Sequence, residues 1–285
     1  MKIALCMHGY FANAGGAQSS IVAHQYLRRK VLNEHDVDVF VHSWDLPNEE
    51  QIRRLYQPTD AIFEPQYSFE EELNNFNEEW FNEGFDRGST MYHTNTIFRG
   101  LSYLYSRKRA IEIKKQYEET HGFEYDCVIL ARFDISTRGK EHQQIYYVTN
   151  MNFESTLDMK YLYSAYWDQM NHGYADHWFF SNSKNMDQVG ALYDKVVEYY
   201  QPGSEYVKAV TEGWPQSNQD DEFTNECMRG IPSDPDKYRT FPRWGCIDNH
   251  KLYKWYFIDT GLHSLSRYVD ITTDTPKPEV YKNAG

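Results

Sequence analysis

Residues 127 to 131, Cys-Val-Ile-Leu-Ala, are five apolar residues in a row, bounded by Asp126 and Arg132. A strand with one wet face alternates apolar and polar positions, so a short unbroken run of this kind reads as a strand covered on both faces. KIALCM (2–7) has the same character, and DVDVFVHSWD (36–45) supplies another strand. Between these two lie a small-residue loop, HGYFANAGGA, and a helix that should start near Ser19 or Ser20. Strand, glycine-bearing loop, helix and strand make a βαβ opening, which implies a parallel pair with a right-handed crossover. The fold class expected is therefore α/β: a mostly parallel, Rossmann-like sheet flanked by helices.

Further along, a weaker strand is expected near residues 60–63, between helical patterns at 48–56 and 69–83. Residues 94–121 carry the longest helical pattern, with Ile97, Leu101, Leu104 and Ile111 on one stripe, Thr94 or Asn95 as cap and Gly122 just past the end. QIYYVTN (144–150) and HWFFSN (177–182) read as strands. A helix is expected from Ser183, with Met186, Val189, Tyr193, Val196 and Tyr200 at helical spacing, and another from Ser217. The tail from Pro232 is rich in Pro, Trp and Tyr. No repeat, low-complexity block or linker divides the chain. The expectation is one domain over 1–285, with a regular nucleotide-binding-like half (1–140) and an irregular second half (141–285).

Composition narrows the partners. A formal net charge of −13 opposes phosphate backbones and anionic bilayers, and no Lys/Arg run offers a local patch, so nucleic acid is not expected. Cys6, Cys127, Cys227 and Cys246 are scattered, without zinc-ribbon or CxxC spacing, and read as reduced core thiols of a cytoplasmic protein. MKIALCMHGY is too short an apolar run for a signal peptide, and no segment approaches membrane-spanning length, so no integral membrane segment is expected. Aromatic residues make up 16% of the chain, including 24 Tyr, which suits walls that stack flat or sugar-like rings while bonding their hydroxyls.

Four places carry candidate chemistry. The loop after the first strand, beginning His8-Gly9-Tyr10, lacks the lysine and hydroxyl of GxxxxGK[ST], and no GxSxG elbow follows downstream. It reads as a backbone-lined pocket at the carboxyl end of a strand, or as a plain glycine-rich connection. Asp45, at the end of the second strand, is placed either to accept from a ribose or base or to open a turn before Pro47; His42 reads as a packed or surface histidine. Arg132 and Asp134 lie two residues apart, on one face if the strand continues, as a clamp for a diphosphate and its cation or as a structural ion pair. DQMNHGYADHWFFS carries Asp168 and Asp176 in a loop, and SNQDDEF places Asp220, Asp221 and Glu222 in the first turn of a helix, where acidic residues suit the helix dipole as well as base chemistry.

Taken in order, KIALCMHGY, DVFVHSWD, the long helix into YDCVILARFDI, ADHWFFSNSKNMD and QDDEF resemble sugar-nucleotide glycosyltransferases with a GT-A-type fold, of the kind that build polysaccharides in bacteria and large DNA viruses of algae. That resemblance covers residues 2 to 230. It implies transfer of a monosaccharide from a nucleoside-diphosphate sugar to a hydroxyl of a glycan acceptor. His8, Gly9, Tyr10 and Asp45 would hold the nucleoside, and Arg99 would approach the diphosphate or sugar. ARFD would stand where the family has its Asp-x-Asp motif, with Arg132 in the first acidic position, leaving Asp134 as the one ligand for Mn2+ or Mg2+. Asp176 would face the transferred sugar, and Asp221, or its neighbours Asp220 and Glu222, would be the base. The alternatives are a carbohydrate-binding or assembly protein without turnover on the same fold, and a phosphoryl or sulfuryl transferase using the first loop as an anion cradle.

Overall fold

Along β1 (Lys2–Gly9), Ile3 to Met7 are fully buried, yet alternate residues enter different cores. Ala4 and Cys6 face one side with Phe40, Val128, Leu130 and Phe179. Ile3, Leu5 and Met7 face the other with Val39, Val41, Cys127, Ile129, Trp178 and Phe180. Period-two alternation between two apolar layers is what an unbroken apolar strand requires. The computed structural model describes residues 1–12, 17–77, 80–81, 97–135, 151, 153–165, 173–212, 243–269 and 280–282.

β1 pairs in parallel with β2 (Asp36–Ser43) on one side and β4 (Cys127–Arg132) on the other, and β2 pairs in parallel with β3 (Asp60–Phe63). β6 (Trp178–Ser181) then runs antiparallel between β4 and β5 (Leu162–Ala165), β7 (Ser266–Val269) pairs in parallel with β5, and β8 (Val280–Lys282) closes the edge antiparallel to β7. The order is β3-β2-β1-β4-β6-β5-β7-β8, one mixed, mostly parallel sheet.

Helices α1 (Gln18–Leu27) and α2 (Glu49–Tyr56) cover one face through Ala23, Leu27, Ile52 and Tyr56. After the short α3 (Glu70–Asn74), the 25-residue α4 (Ile97–His121) covers the other face with α5 (Ser183–Gly190), α6 (Val196–Tyr199), α7 (Glu205–Glu212), α8 (Asn249–Asp259) and α9 (Leu262–Leu265). The expected stripe of Ile97, Leu101, Leu104 and Ile111 is buried, and α4 stops at Gly122, whose φ of +70° turns the chain so that the Phe123 amide also reaches the Glu118 carbonyl. Lys114 continues the stripe: its ammonium reaches Glu118 Oε2 at 2.8 Å, Asp187 Oδ1 at 2.5 Å and Ser183 Oγ at 2.6 Å, tying α4 to α5.

The second half differs from the expectation of an irregular region. It adds β5 to β8 to the same sheet and α5 to α9 to the same helical layer. β6 meets the strand expected at 177–182, whereas β5, β7 and β8, three or four residues long, are too short to display a period in the sequence. The helix expected from Ser183 is interrupted by a tighter 3-10 turn at Ala191–Lys195, and the 69–83 pattern forms helix at Glu70–Asn74 and then turns at Asn75. The expected strand at 144–150, the helix from Ser217 and the Thr94/Asn95 cap lie outside the described residues. Cys6, Cys127 and Cys246 are buried free thiols, and Cys227 lies outside that set. Among the described residues no helix is long and apolar enough to cross a membrane.

Candidate functional site

The sheet reverses its winding direction at β1, whose two parallel neighbours are β2 and β4. Helices cannot fill the space above such a switch point, and ligands of open α/β sheets bind there, outside the carboxyl ends of the strands. Register brings His8 level with His42 on one side and Arg132 on the other. A cleft of about 800 Å³ opens above them, walled by the end of β1, the first turns of α4, the turn after β4, the segment before β6 and the start of α8.

At the end of β1 the backbone turns at Gly9 with φ +92°, a region that side-chain-bearing residues rarely adopt. The turn sends Tyr10 outward, 47% exposed at the cleft rim. His8 stays buried beneath it, its ring edge against Tyr103 at 5.4 Å between centroids. Neither ring nitrogen of His8 has a hydrogen-bond partner among the described residues. Burial first, then the charges of Arg107 and Arg132, hold its pKa well below the ordinary range, so the ring is neutral and offers one donor and one acceptor. Trp44 Nε1 and Asn249 Oδ1, both on the cleft wall, likewise have no partner there.

The turn after β4 presents Arg132 and Asp134 as a bidentate pair: Nε to Oδ1 at 2.8 Å and Nη2 to Oδ2 at 2.6 Å. Both side chains line the cleft and are partly exposed to it. Burial works against the Arg132 charge, but Asp134 outweighs it and raises the guanidinium pKa further. The structural ion pair expected for these residues is present, and it faces the cleft.

Below the floor lies Arg107, fully buried on α4. Its Nη1 donates to the Tyr103 hydroxyl at 2.5 Å and to the Asp176 main-chain carbonyl at 3.0 Å. The guanidinium sits over the rings of Phe179 and Tyr253, each 4.9 Å away, while Nε and Nη2 have no hydrogen-bond partner among the described residues. Asp176 Oδ1 lies 3.6 Å from His250 Nδ1 and 3.7 Å from His177 Nδ1. Burial alone would raise this carboxyl, but His250, His177, Arg132 and Arg107 together bring it down to about 2. Burial lowers His177 to about 4, against the pull of Asp176, so the ring is neutral at pH 7.

Local sequence explains how these groups are held. Asp248 caps α8, accepting from the His250 amide at 2.9 Å and the Lys251 ammonium at 2.8 Å, and so aims Asn249 and His250 at the cleft. His250 Nδ1 in turn donates to the Tyr174 carbonyl at 2.7 Å. Gly173, with φ +88°, lets that segment press onto α8: a Cβ there would stand 2.0 Å from the His250 carbonyl oxygen.

Of the candidate residues, His8, Gly9, Tyr10, Arg99, Arg132, Asp134 and Asp176 all line this one cleft. Asp45 does not. Its Oδ2 accepts from the Ala12 amide at 2.8 Å and Oδ1 from Asn48 Nδ2 at 2.9 Å, so it staples the loops below the rim. Asp168, Asp220, Asp221 and Glu222 lie outside the described residues. Asp134 already gives both oxygens to Arg132, and taking a cation would require that fork to open. Among the described residues no cluster of three or more His, Cys, Asp or Glu fits a metal ion.

The sequence reading missed Arg107, His177 and Asn249. Arg107 had a signal: it falls three residues after Leu104 and four before Ile111, on the apolar stripe itself. No family model matches the chain, and no curated protein or solved structure matches it significantly.

Proposed function

We propose that this cleft is the donor site of a glycosyltransferase that moves a monosaccharide from a nucleoside-diphosphate sugar to a hydroxyl of a glycan. The observation that carries the reading is the convergence of buried polar atoms without a hydrogen-bond partner among the described residues, both ring nitrogens of His8, Trp44 Nε1, His177 Nδ1 and Asn249 Oδ1, with Arg132 and Arg99 at the switch point of the sheet. Such groups are costly to leave unsatisfied and are satisfied by a polar ligand. The donors suit phosphate oxygens, and the acceptors Asn249, Asp176 and Asp248 suit sugar hydroxyls.

In this reading Arg132, held in orientation by Asp134, neutralises the diphosphate as the bond from the anomeric carbon to its oxygen breaks, with Arg99 beside it. Buried Arg107 adds a fixed positive charge beneath. Asp176 stays ionised at neutral pH and suits electrostatic support of positive charge developing on the sugar better than proton abstraction, because so acidic a group is a poor base. The acceptor proton then goes to the acidic group Asp220, Asp221 and Glu222. Mn2+ or Mg2+ would have to be held largely by the donor's own phosphates, so no step is assigned to it. A GT-A-type assignment of the sheet belongs to this same proposal.

Titration calorimetry with a panel of nucleoside diphosphates, followed by assays of sugar hydrolysis and transfer, tests it. At least one nucleotide should bind and its sugar conjugate should turn over; no binding across the panel refutes the reading. The closed Arg132–Asp134 pair favours one other reading, a carbohydrate-binding protein without turnover, which binding without hydrolysis or transfer would establish.

A further inference from the structure

Gly9 is held at both ends of its residue by side chains. Its amide donates to Ser106 Oγ at 2.9 Å, and its carbonyl accepts from Ser43 Oγ at 2.7 Å. Ser106 lies on α4, fully buried, and its oxygen is 2.7 Å from His42 Nδ1. The other nitrogen of that ring, Nε2, is 2.9 Å from Glu64 Oε1, just past the end of β3. These three residues have the composition of a hydrolytic triad, but the serine bonds Nδ1 rather than Nε2 and does not line the cleft, so it is not placed to attack a substrate.

The directions of the bonds are settled by the chemistry of the ends. A carboxylate only accepts, so His42 Nε2 carries the proton and Nδ1 is the acceptor. Ser106 must then donate to Nδ1, which leaves its oxygen to accept the Gly9 amide. The chain reads in two directions from the ring: Gly9 N–H to Ser106 O–H to His42 Nδ1, and His42 Nε2–H to Glu64. Nothing in it is left unsatisfied, and it ends on the residue whose φ of +92° sends Tyr10 to the rim.

We propose that Glu64, His42 and Ser106 are positioning residues: a hydrogen-bond relay that fixes the Gly9 peptide and so the presentation of the His8–Tyr10 loop to the ligand. The loop's order is thereby tied to a group outside the cleft. Protonating His42 puts a hydrogen on Nδ1 and forces Ser106 to turn its own hydrogen toward the His42 carbonyl, 3.5 Å away. The charged and titratable groups around the ring are Glu64 after β3, Tyr105, Arg109 and Glu112 on α4, and His8 on β1. The consequence for the ligand rests on the donor-site reading above; the relay itself does not.

Nitrogen NMR of the full chain tests the relay without a ligand. Wild-type His42 should show the Nε2–H tautomer. Ser106→Ala should speed exchange of the Gly9 amide by ~10-fold or more, the scale of one lost hydrogen bond. Ser106→Thr should restore slow exchange. Glu64→Gln should preserve it, since the amide oxygen still accepts from Nε2–H, while the half-exposed Glu64→Ala should loosen Gly9 without unfolding the chain. An Nδ1–H ring in the wild type, or unchanged Gly9 exchange in Ser106→Ala, overturns the relay. In a second arm, the nucleoside diphosphate that binds the wild type should bind Ser106→Ala ~10-fold more weakly and recover with Ser106→Thr. Unchanged affinity beside faster exchange overturns the link to the ligand. Failure of every nucleoside diphosphate to bind the wild type refutes the donor-site reading and leaves the relay to be decided by exchange.

Discussion

Replacing Asp176 by Asn keeps the shape and removes the charge around which the cleft's cations are arranged. The main-chain carbonyl still accepts from Arg107, so the segment before β6 stays anchored. What is lost is the preference of the folded state for an ionised carboxyl, which His250, His177, Arg132 and Arg107 pull from its ordinary 3.8 to about 2 against burial. At roughly 1.4 kcal/mol per pH unit, that depression corresponds to at most about 2 kcal/mol of stability, and the share due to His177 is missing at pH 7, where that ring is neutral. Because the folded pKa is lowered, this contribution is complete above pH 3.8 and is lost as pH falls through about 2. Urea unfolding of wild type and Asp176→Asn should therefore differ by up to about 2 kcal/mol at pH 7, and the gap should close between pH 4 and 2. A gap that persists unchanged at pH 2 would show that Asn perturbs packing and that the carboxylate is not coupled to the surrounding cations. A gap near zero at pH 7 would refute the argument altogether.

Asp134→Asn should leave the melting temperature nearly unchanged, since a partly exposed ion pair contributes about 1 kcal/mol or less, while sugar transfer falls by ~100-fold as Arg132 loses its orientation; thermal melts alongside transfer assays check both. Arg132→Lys should rescue incompletely, because a point charge lacks the fork geometry, and Arg132→Ala should make residual transfer more dependent on added manganese or magnesium; assays with and without chelator read this out. Gly173→Ala forces a Cβ to within 2.0 Å of the His250 carbonyl at a φ of +88°, so calorimetric melting should show a loss of several degrees, whereas an unshifted melt would mean the segment yields freely. Lys114→Met should cost about 3 kcal/mol in urea unfolding, because the buried Glu118 and the partly exposed Asp187 lose their shared cation, yet leave nucleotide affinity intact at temperatures where the variant is folded.

The first half of the fold was legible because its signals are local. Ile3 to Met7 and Cys127 to Ala131 are apolar at every position, and only a doubly covered strand buries both parities. The stripe on α4 and the glycine that ends it are likewise written in consecutive turns. β5, β7 and β8 were not legible, since three or four residues carry no period and their place depends on pairing with strands far along the chain.

The sequence alone determined that charged and glycine-bearing turns follow the carboxyl ends of buried strands, and that His8, Gly9, Tyr10, Arg132 and Asp134 therefore stand at one edge of the sheet. Tertiary structure decided what each does there. Asp45, which also follows a buried strand, is consumed by Ala12 and Asn48, whereas Arg132 closes on Asp134 and still faces the cleft. Arg107, His177 and Asn249 join the site from α4, the segment before β6 and α8. The physical reason is that strand burial is a property of neighbours in sequence. The charge state and partner of a side chain depend also on groups far along the chain, as Asp45 depends on Ala12 and Arg107 on the Asp176 carbonyl, brought within a few ångströms only when the sheet is complete.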